Sequence, residues 1–196
     1  MNRLGWAILA LIVIVVGGFL SMTRFGGPTQ APRPPATSLP LAASDHPDLP
    51  HLIVPVAGVT PGQFNDDWGD PREDGRRIHH GTDIMAPQGT PVIAAADGTI
   101  EKLFQSVKGG TTLYERSPDG HWQYYYAHLS GYASGVREGK KVRAGELLGY
   151  VGDTGDAAPG AYQLHFGLSF MRPGDGWWQG QPVNPYPLLA GTAAGG

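Results

Sequence analysis

PVIAAADGTIEKLFQSVKGGTTLYERSPDGHWQYYYAHL, residues 91–129, carries the pattern that decides the fold. Short runs suited to strands alternate with turn residues. Pro91–Ala95, Gly98–Ser106, Thr111–Arg116 and Trp122–His128 are separated by Ala-Asp-Gly, Lys-Gly-Gly and Ser-Pro-Asp-Gly. β-Branched and aromatic residues favour a pleated surface, and glycine supplies the positive φ that tight turns need. Asp119-Gly120 between two β-rich runs is a hairpin signal. The same reading extends outward to Leu52–Val56, Lys141–Arg143, Leu147–Val151 and Leu164–Phe170, punctuated by REGK, RAGE and GDTGDAAPG. No segment after residue 51 combines a 3.6-residue apolar period with capping residues. The expectation is an all-β fold, a small antiparallel sandwich or barrel-sandwich over residues 51–190. Val136–Gly152 adds the tight glycine turns of small barrel-sandwich folds.

Upstream of that region the composition changes. Leu4 to Thr23 is a run of 20 residues without a formal side-chain charge, between Arg3 and Arg24. Twenty helical residues span about 30 Å, the thickness of a bilayer's hydrocarbon core. The stretch GGFLSMTRFGG that closes it lacks a cleavage site of the A-x-A kind. Residues 1–24 are therefore read as one uncleaved transmembrane helix rather than a signal peptide. The short tail before the span favours an inside N-terminus, with the domain on the periplasmic or extracytoplasmic side of the cytoplasmic membrane. Residues 25–50 contain seven prolines and no apolar period, a semi-rigid spacer of polyproline type. Residues 191–196 read as a flexible tail.

The whole chain of 196 residues has no cysteine and a formal net charge of −3. Disulfide frameworks, cysteine-based zinc fingers and thiol nucleophiles are excluded. The charge balance argues against a nucleic-acid partner. The chemistry then rests on the histidines. His46 and His51 belong to the linker and its end, and His121 follows a turn. His79, His80, His128 and His165 remain. In an extended segment, residues i and i+4 share a face, so His79 and Asp83 point one way and His80 and Thr82 the other. A histidine nitrogen and a carboxylate oxygen on one face suit zinc. By the same parity Gln163 and His165 share a face, with Leu164 toward the core. His165 would then be a third ligand, and three protein ligands with one open position is the catalytic arrangement. Tyr124, Tyr126 and His128 fall on one face of their strand by the same rule. Trp177 and Trp178 either line a substrate groove or cap the fold near the C-terminal NPYPLL segment.

Taken together, DDWGDPR (66–72), HHGTDIMAPQGTPVIAAADGTI (79–100), YYYAHL (124–129), GYVGDTGDA (149–157) and LHFGL (164–168) resemble the lysostaphin/LytM-type zinc metallopeptidases. These enzymes cut peptide bonds of the bacterial cell wall. The resemblance covers about residues 52–188. It implies that His79, Asp83 and His165 hold Zn²⁺, that His128 is a catalytic histidine, and that peptidoglycan peptides are the substrate. The family's H-x-G-x-D pattern selects His79 rather than His80. The family's H-x-H motif departs here to Gln163-Leu164-His165, so the metal-binding histidine is kept and the catalytic one is Gln163. Glutamine donates and accepts hydrogen bonds but takes no proton near pH 7. The resemblance thus implies a zinc endopeptidase of reduced activity, or a degenerate module that binds cell wall or activates another hydrolase.

Overall fold

The computed structural model describes residues 48–192. The expected transmembrane helix, nearly all of the spacer, His46 and residues 193–196 lie outside them. Among the described residues no helix is long and apolar enough to cross a membrane.

Eleven strands are present in the described region. They are β1 (Pro71–Arg72), β2 (Arg77–Ile78), β3 (Thr82–Met85), β4 (Pro91–Ile93), β5 (Gly98–Ser106) and β6 (Gly110–Arg116). Then follow β7 (Trp122–Tyr132), β8 (Lys141–Val142), β9 (Leu147–Val151), β10 (Gln163–Phe170) and β11 (Gln181–Val183). A 3₁₀ turn covers Pro61–Gln63, and one short α-helix, α1, covers Tyr186–Leu189. β1 and β2 form a separate ribbon, and the other nine strands form one sheet. Every strand pair is antiparallel. Of the all-β sandwich expectation, a mostly β-sheet fold with few helices is found among the described residues, and β5 and β9 have the predicted limits. Leu52–Val56 is a correction. It runs beside β4, with Ile53 N–H donating to Ala95 and Ile93 N–H to the Pro55 carbonyl. Only Val56 makes a bridge, to Val92, because Pro55 has no N–H to extend the ladder.

β7 organises the sheet. Its first half pairs with β10, from Trp122 opposite Phe170 to Ala127 opposite His165. Its second half pairs with β9, from Leu129 opposite Val151 to Tyr132 opposite Gly149. The hand-over falls at His128, whose φ is 61°. On the other edge, Thr111 of β6 faces Leu129 and Leu113 faces Tyr126, so β7 carries one extra residue there. This is a β-bulge, a device that redirects a side chain at the cost of ladder regularity. The parity expectation for β7 is corrected accordingly. Tyr124 and Tyr126 are buried in the core, whereas the bulge turns His128 out toward the face that Tyr125 and Ala127 line.

The core is apolar, built on Ile84, Val92, Ile100, Leu113, Leu129, Leu148, Leu164 and Phe166. One carboxyl is buried within it. The Tyr126 hydroxyl donates to Glu115 Oε2 (2.7 Å) and accepts from Ala95 N–H (2.9 Å), and Glu115 Oε1 has no partner among the described residues. Burial pushes the Glu115 carboxyl up to about 8 from its ordinary 4.5. The folded protein therefore keeps a proton that the unfolded chain has released. The stability contributed by the neutral acid is full below pH 4.5 and is lost as pH rises toward 8. At about 1.4 kcal/mol per pKa unit, the loss between pH 5 and pH 8 is on the order of 3 kcal/mol. Glu115→Gln, neutral throughout, is expected to flatten that slope in denaturant titrations at the two pH values; parallel slopes for both proteins would show that Glu115 is not the source.

Candidate metal centre and cleft

Three strands bring the site together. In the β3–β10 pair Asp83 lies directly opposite His165, and direct cross-strand partners have neighbouring side chains. β7 flanks β10 on its other side, with Ala127 opposite His165, and the bulge then delivers His128. His79 arrives four residues before Asp83. The result is a tight triangle of ligand atoms. His79 Nε2 lies 2.9 Å from His165 Nδ1. His165 Nδ1 lies 2.9 Å from Asp83 Oδ1. His79 Nε2 lies 3.2 Å from Asp83 Oδ1. His80, by contrast, is exposed, with its ring 5.2 Å from that of Trp68.

The donor chemistry of this triangle fits a cation. His79 Nδ1 donates to the Asp67 carbonyl at 2.9 Å, which leaves Nε2 with a lone pair in the neutral ring. Three lone-pair atoms then converge, and one proton satisfies only part of them. A divalent cation satisfies all three. Tetrahedral Zn²⁺ with bonds of 2.0–2.1 Å sets its ligand atoms about 3.3 Å apart, close to the edges found here. Zinc also takes nitrogen and oxygen ligands of this kind. His79, Asp83 and His165 form the group of metal-ligating type found among the described residues.

A second layer fixes the ligands. Arg72 donates to Asp83 Oδ2 at 2.7 Å and to Asp67 Oδ2 at 3.3 Å, so Oδ1 of Asp83 is the oxygen left for the triangle. The Asp67 carboxylate also faces the Asp83 N–H and His79 Nδ1. Burial works against charge on Asp83, but hydrogen bonds from His165 and His79 outweigh it and hold the carboxyl far below the usual carboxylate range. Burial opposes protonation of His79 too, yet the Asp83 carboxylate and Asp67 raise its proton affinity. Burial dominates at His165 and depresses it. Gly81 is a steric requirement, since a Cβ there would come within 2.5 Å of the His165 ring.

His128 Nδ1 donates to the Thr154 carbonyl at 2.7 Å. That bond fixes the tautomer and leaves Nε2 as the nitrogen with a lone pair. Its ring centroid is 6.1 Å from that of His165. The loop holding Thr154 is locked onto the β5–β6 turn. Thr111 N–H donates to Thr154 Oγ1 (3.0 Å) and Asp156 N–H to the Lys108 carbonyl (2.8 Å). Gly155 permits this contact, because a Cβ there would meet the Lys108 carbonyl at 2.1 Å. The triangle, His128 and Gln163 all line one cleft of about 420 Å³. Arg77, Glu73, Lys108 and Asp156 form its charged rim, linked by Lys108–Glu73 (2.6 Å) and Arg77–Asp156 (3.4 Å).

The sequence-expected residues His79, Asp83, His128, Gln163 and His165 are thus brought to one cleft. Asp67, Arg72, Thr154 and Tyr125 were not singled out by sequence. Asp67 and Arg72 lie within the quoted DDWGDPR stretch and Thr154 within GYVGDTGDA, but two of the four contacts use backbone carbonyls, which side-chain identity does not reveal. Asn65 lines a neighbouring hollow that Asp67, Arg72, Asp83 and Gln163 also border. Asp67→Ala removes a negative charge beside the triangle and the carboxylate contacts to Arg72 and the Asp83 N–H, while the backbone carbonyl still holds His79 Nδ1. Both effects weaken metal binding, by about 10- to 100-fold for an outer-layer partner. Competition with a chromophoric chelator measures this, and an unchanged affinity would remove Asp67 from the account.

Comparison with known proteins gives a consistent result. Residues 77–185 match the family model described as Peptidase family M23. An L-Ala–D-Glu endopeptidase of Bacillus subtilis is 35% identical over 153 residues, 75% of this chain and 45% of that protein. A DD-carboxypeptidase/endopeptidase of Neisseria meningitidis is 41% identical over 118 residues, 59% of this chain and 24% of that one. The chain therefore spans less than half the length of these curated relatives. Among solved structures, the catalytic domain of the antimicrobial peptidase lysostaphin from Staphylococcus simulans is 29% identical. It aligns with a TM-score of 0.54 over 66% of this chain and 94% of that one.

Proposed function

The chain belongs to peptidase family M23, and from that premise we propose that it is a membrane-anchored zinc endopeptidase hydrolysing peptide bonds of bacterial peptidoglycan. The observation that carries this reading is the triangle of His79 Nε2, Asp83 Oδ1 and His165 Nδ1 on the cleft that His128 also lines. Anchoring rests on the uncharged span Leu4–Thr23 and the proline-rich spacer after it. Together they would hold the domain at the outer side of the cytoplasmic membrane.

When bound, Zn²⁺ polarises the scissile carbonyl and makes water acidic enough to supply a nucleophile near neutral pH. The remaining work falls to side chains of this chain. His128, with Nδ1 tied to Thr154, presents the Nε2 lone pair to take a proton from the attacking water and, once protonated, donates a hydrogen bond to the developing oxyanion. Gln163 offers an amide N–H to the same charge and cannot titrate. The cleft walls orient the peptide, and the rim of Arg77, Lys108, Glu73 and Asp156 offers paired charges of both signs to a polar peptide. The test is mass spectrometry of purified sacculi after digestion by the full-length protein. New amino and carboxyl termini at a stem-peptide bond are expected, and cleavage of sugar linkages alone would contradict the reading.

Gln163 favours a second reading, in which the domain binds cell-wall peptides or activates another hydrolase. The intact ligand triangle weighs against it, because a pure binding module has no use for three converging ligands.

A further inference from the structure

A row of aromatic rings leads away from the metal centre. Tyr125 stands edge-on to His165, with centroids 5.8 Å apart. Tyr114, its cross-strand partner, lies 4.7 Å from Tyr125. Trp177, from the loop between β10 and β11, packs on Tyr114 at 5.0 Å and on Phe104 at 5.1 Å. Trp178 stands at 80° to Trp177, 5.6 Å away. Trp177 thus packs on rings of β5 and β6, and Tyr186 of the C-terminal segment packs on Phe64.

The end of this row is both exposed and held in place. Trp178 is 69% exposed and Phe104 is 39% exposed. The Trp178 ring lies over Gly176, where a Cβ would come within 2.7 Å of it. An indole fixed against a glycine with most of its surface in water is a ready stacking face. Contiguous exposed aromatic surface marks an interaction site.

Resting on the peptidase reading above, we propose that Tyr114, Trp177, Trp178 and Phe104 form a ledge that binds the glycan strand carrying the scissile peptide. Two observations select a saccharide. The ledge is continuous with the cleft through Tyr125, and any peptide in that cleft is joined to sugar on one side. The charges are also divided: Arg77, Lys108, Glu73 and Asp156 rim the cleft, while the ledge residues carry none. A peptide with charged groups of both signs suits the first, and a neutral N-acetylated sugar suits the second. The C–H faces of pyranose rings stack on flat aromatic rings, and the electron-rich face of indole attracts those polarised C–H groups.

The test uses the full-length protein and two probes. The first is a peptide-free N-acetylglucosamine oligomer, titrated while tryptophan fluorescence is followed. Saturable binding is expected, weakened about tenfold by Trp178→Ala and largely kept by Trp178→Phe, since one stacked ring contributes up to about tenfold. The second is the ratio of KM values for a muropeptide with and without its sugars. The sugar-bearing form is expected to have the lower KM in the wild type, and Trp178→Ala should bring the ratio toward one. Thermal unfolding and metal content verify that the variants are folded. No response to the oligomer, or a KM ratio of one in the wild type, overturns the ledge even if the peptide is cut. Shielding of Trp178 in the full-length chain without any response to sugar overturns it in favour of the chain's own proline-rich segment. Failure to cut either muropeptide would count against the peptidase reading, and sugar binding would still be decided by the titration.

Discussion

His165→Ala is expected to strip the metal and abolish hydrolysis. His165 Nδ1 is common to the two shortest edges of the ligand triangle, 2.9 Å to His79 and 2.9 Å to Asp83. Without it two ligands remain, fewer than the three that catalytic zinc sites use. The ion contributes several kcal/mol of charge stabilisation, so the loss in rate is at least about 10³-fold at 1.4 kcal/mol per decade. The neighbouring His80→Ala provides the contrast. Its exposed ring lies beside Trp68 and outside the triangle, so bound zinc should stay near one per chain. Metal analysis of the two purified variants decides the register. Zinc lost from His80→Ala and retained by His79→Ala would reverse the assignment of ligands in the His79-His80 pair.

The second large effect concerns the proton. His128→Ala is expected to slow peptide hydrolysis by about 10²- to 10⁴-fold, the range for a general acid or base, while zinc content is unchanged. Metal retention follows because His128 is not in the triangle and its Nδ1 is spent on Thr154. Gln163→His adds a second imidazole at a position already lining the cleft. It should raise the rate on the order of 10²-fold if that group moves a proton, and it should add a titration near pH 6.5 to the rate profile. His128→Ala should lower activity in both backgrounds. Rates that are high in the wild type and indifferent to Gln163→His would mean that an amide suffices at this position. Zinc-loaded protein inactive with either residue would favour the binding or activating module.

Much of this arrangement is legible in residue order. Gly98–Ser106 and Leu147–Val151 form strands with the predicted limits because turn residues bound them closely. His79, Asp83 and His165 meet because period-two alternation carries their side chains to one face, and the β3–β10 register then sets Asp83 opposite His165. β3 itself was not foreseen. Its four residues include an aspartate, and the strand depends on pairing with β10, more than 70 positions away. His128 reaches the cleft by a different route from the expected one. Regular alternation groups it with Tyr124 and Tyr126, yet both of those are core residues. The extra residue in β7 and the positive φ at His128 reverse its side. A bulge of this kind depends on which strands flank it, and composition carries no sign of it. The β1–β2 ribbon is similarly hidden, since Pro71–Arg72 and Arg77–Ile78 are too short to show a period. The ribbon nevertheless carries Arg72 to Asp83. The loop contact at Thr154 is hidden for another reason, because the carbonyl that orients His128 is present in every residue type.

The most direct test of the account follows zinc and chemistry in one sample. Metal-free full-length protein is titrated with Zn²⁺ while hydrolysis of a cross-linked muropeptide is monitored by mass spectrometry. The predicted result is that peptide cleavage is absent at the start, rises in proportion to zinc, and levels off near one equivalent per chain. Zinc bound to one equivalent with no cleavage, or cleavage by the metal-free protein, would contradict it.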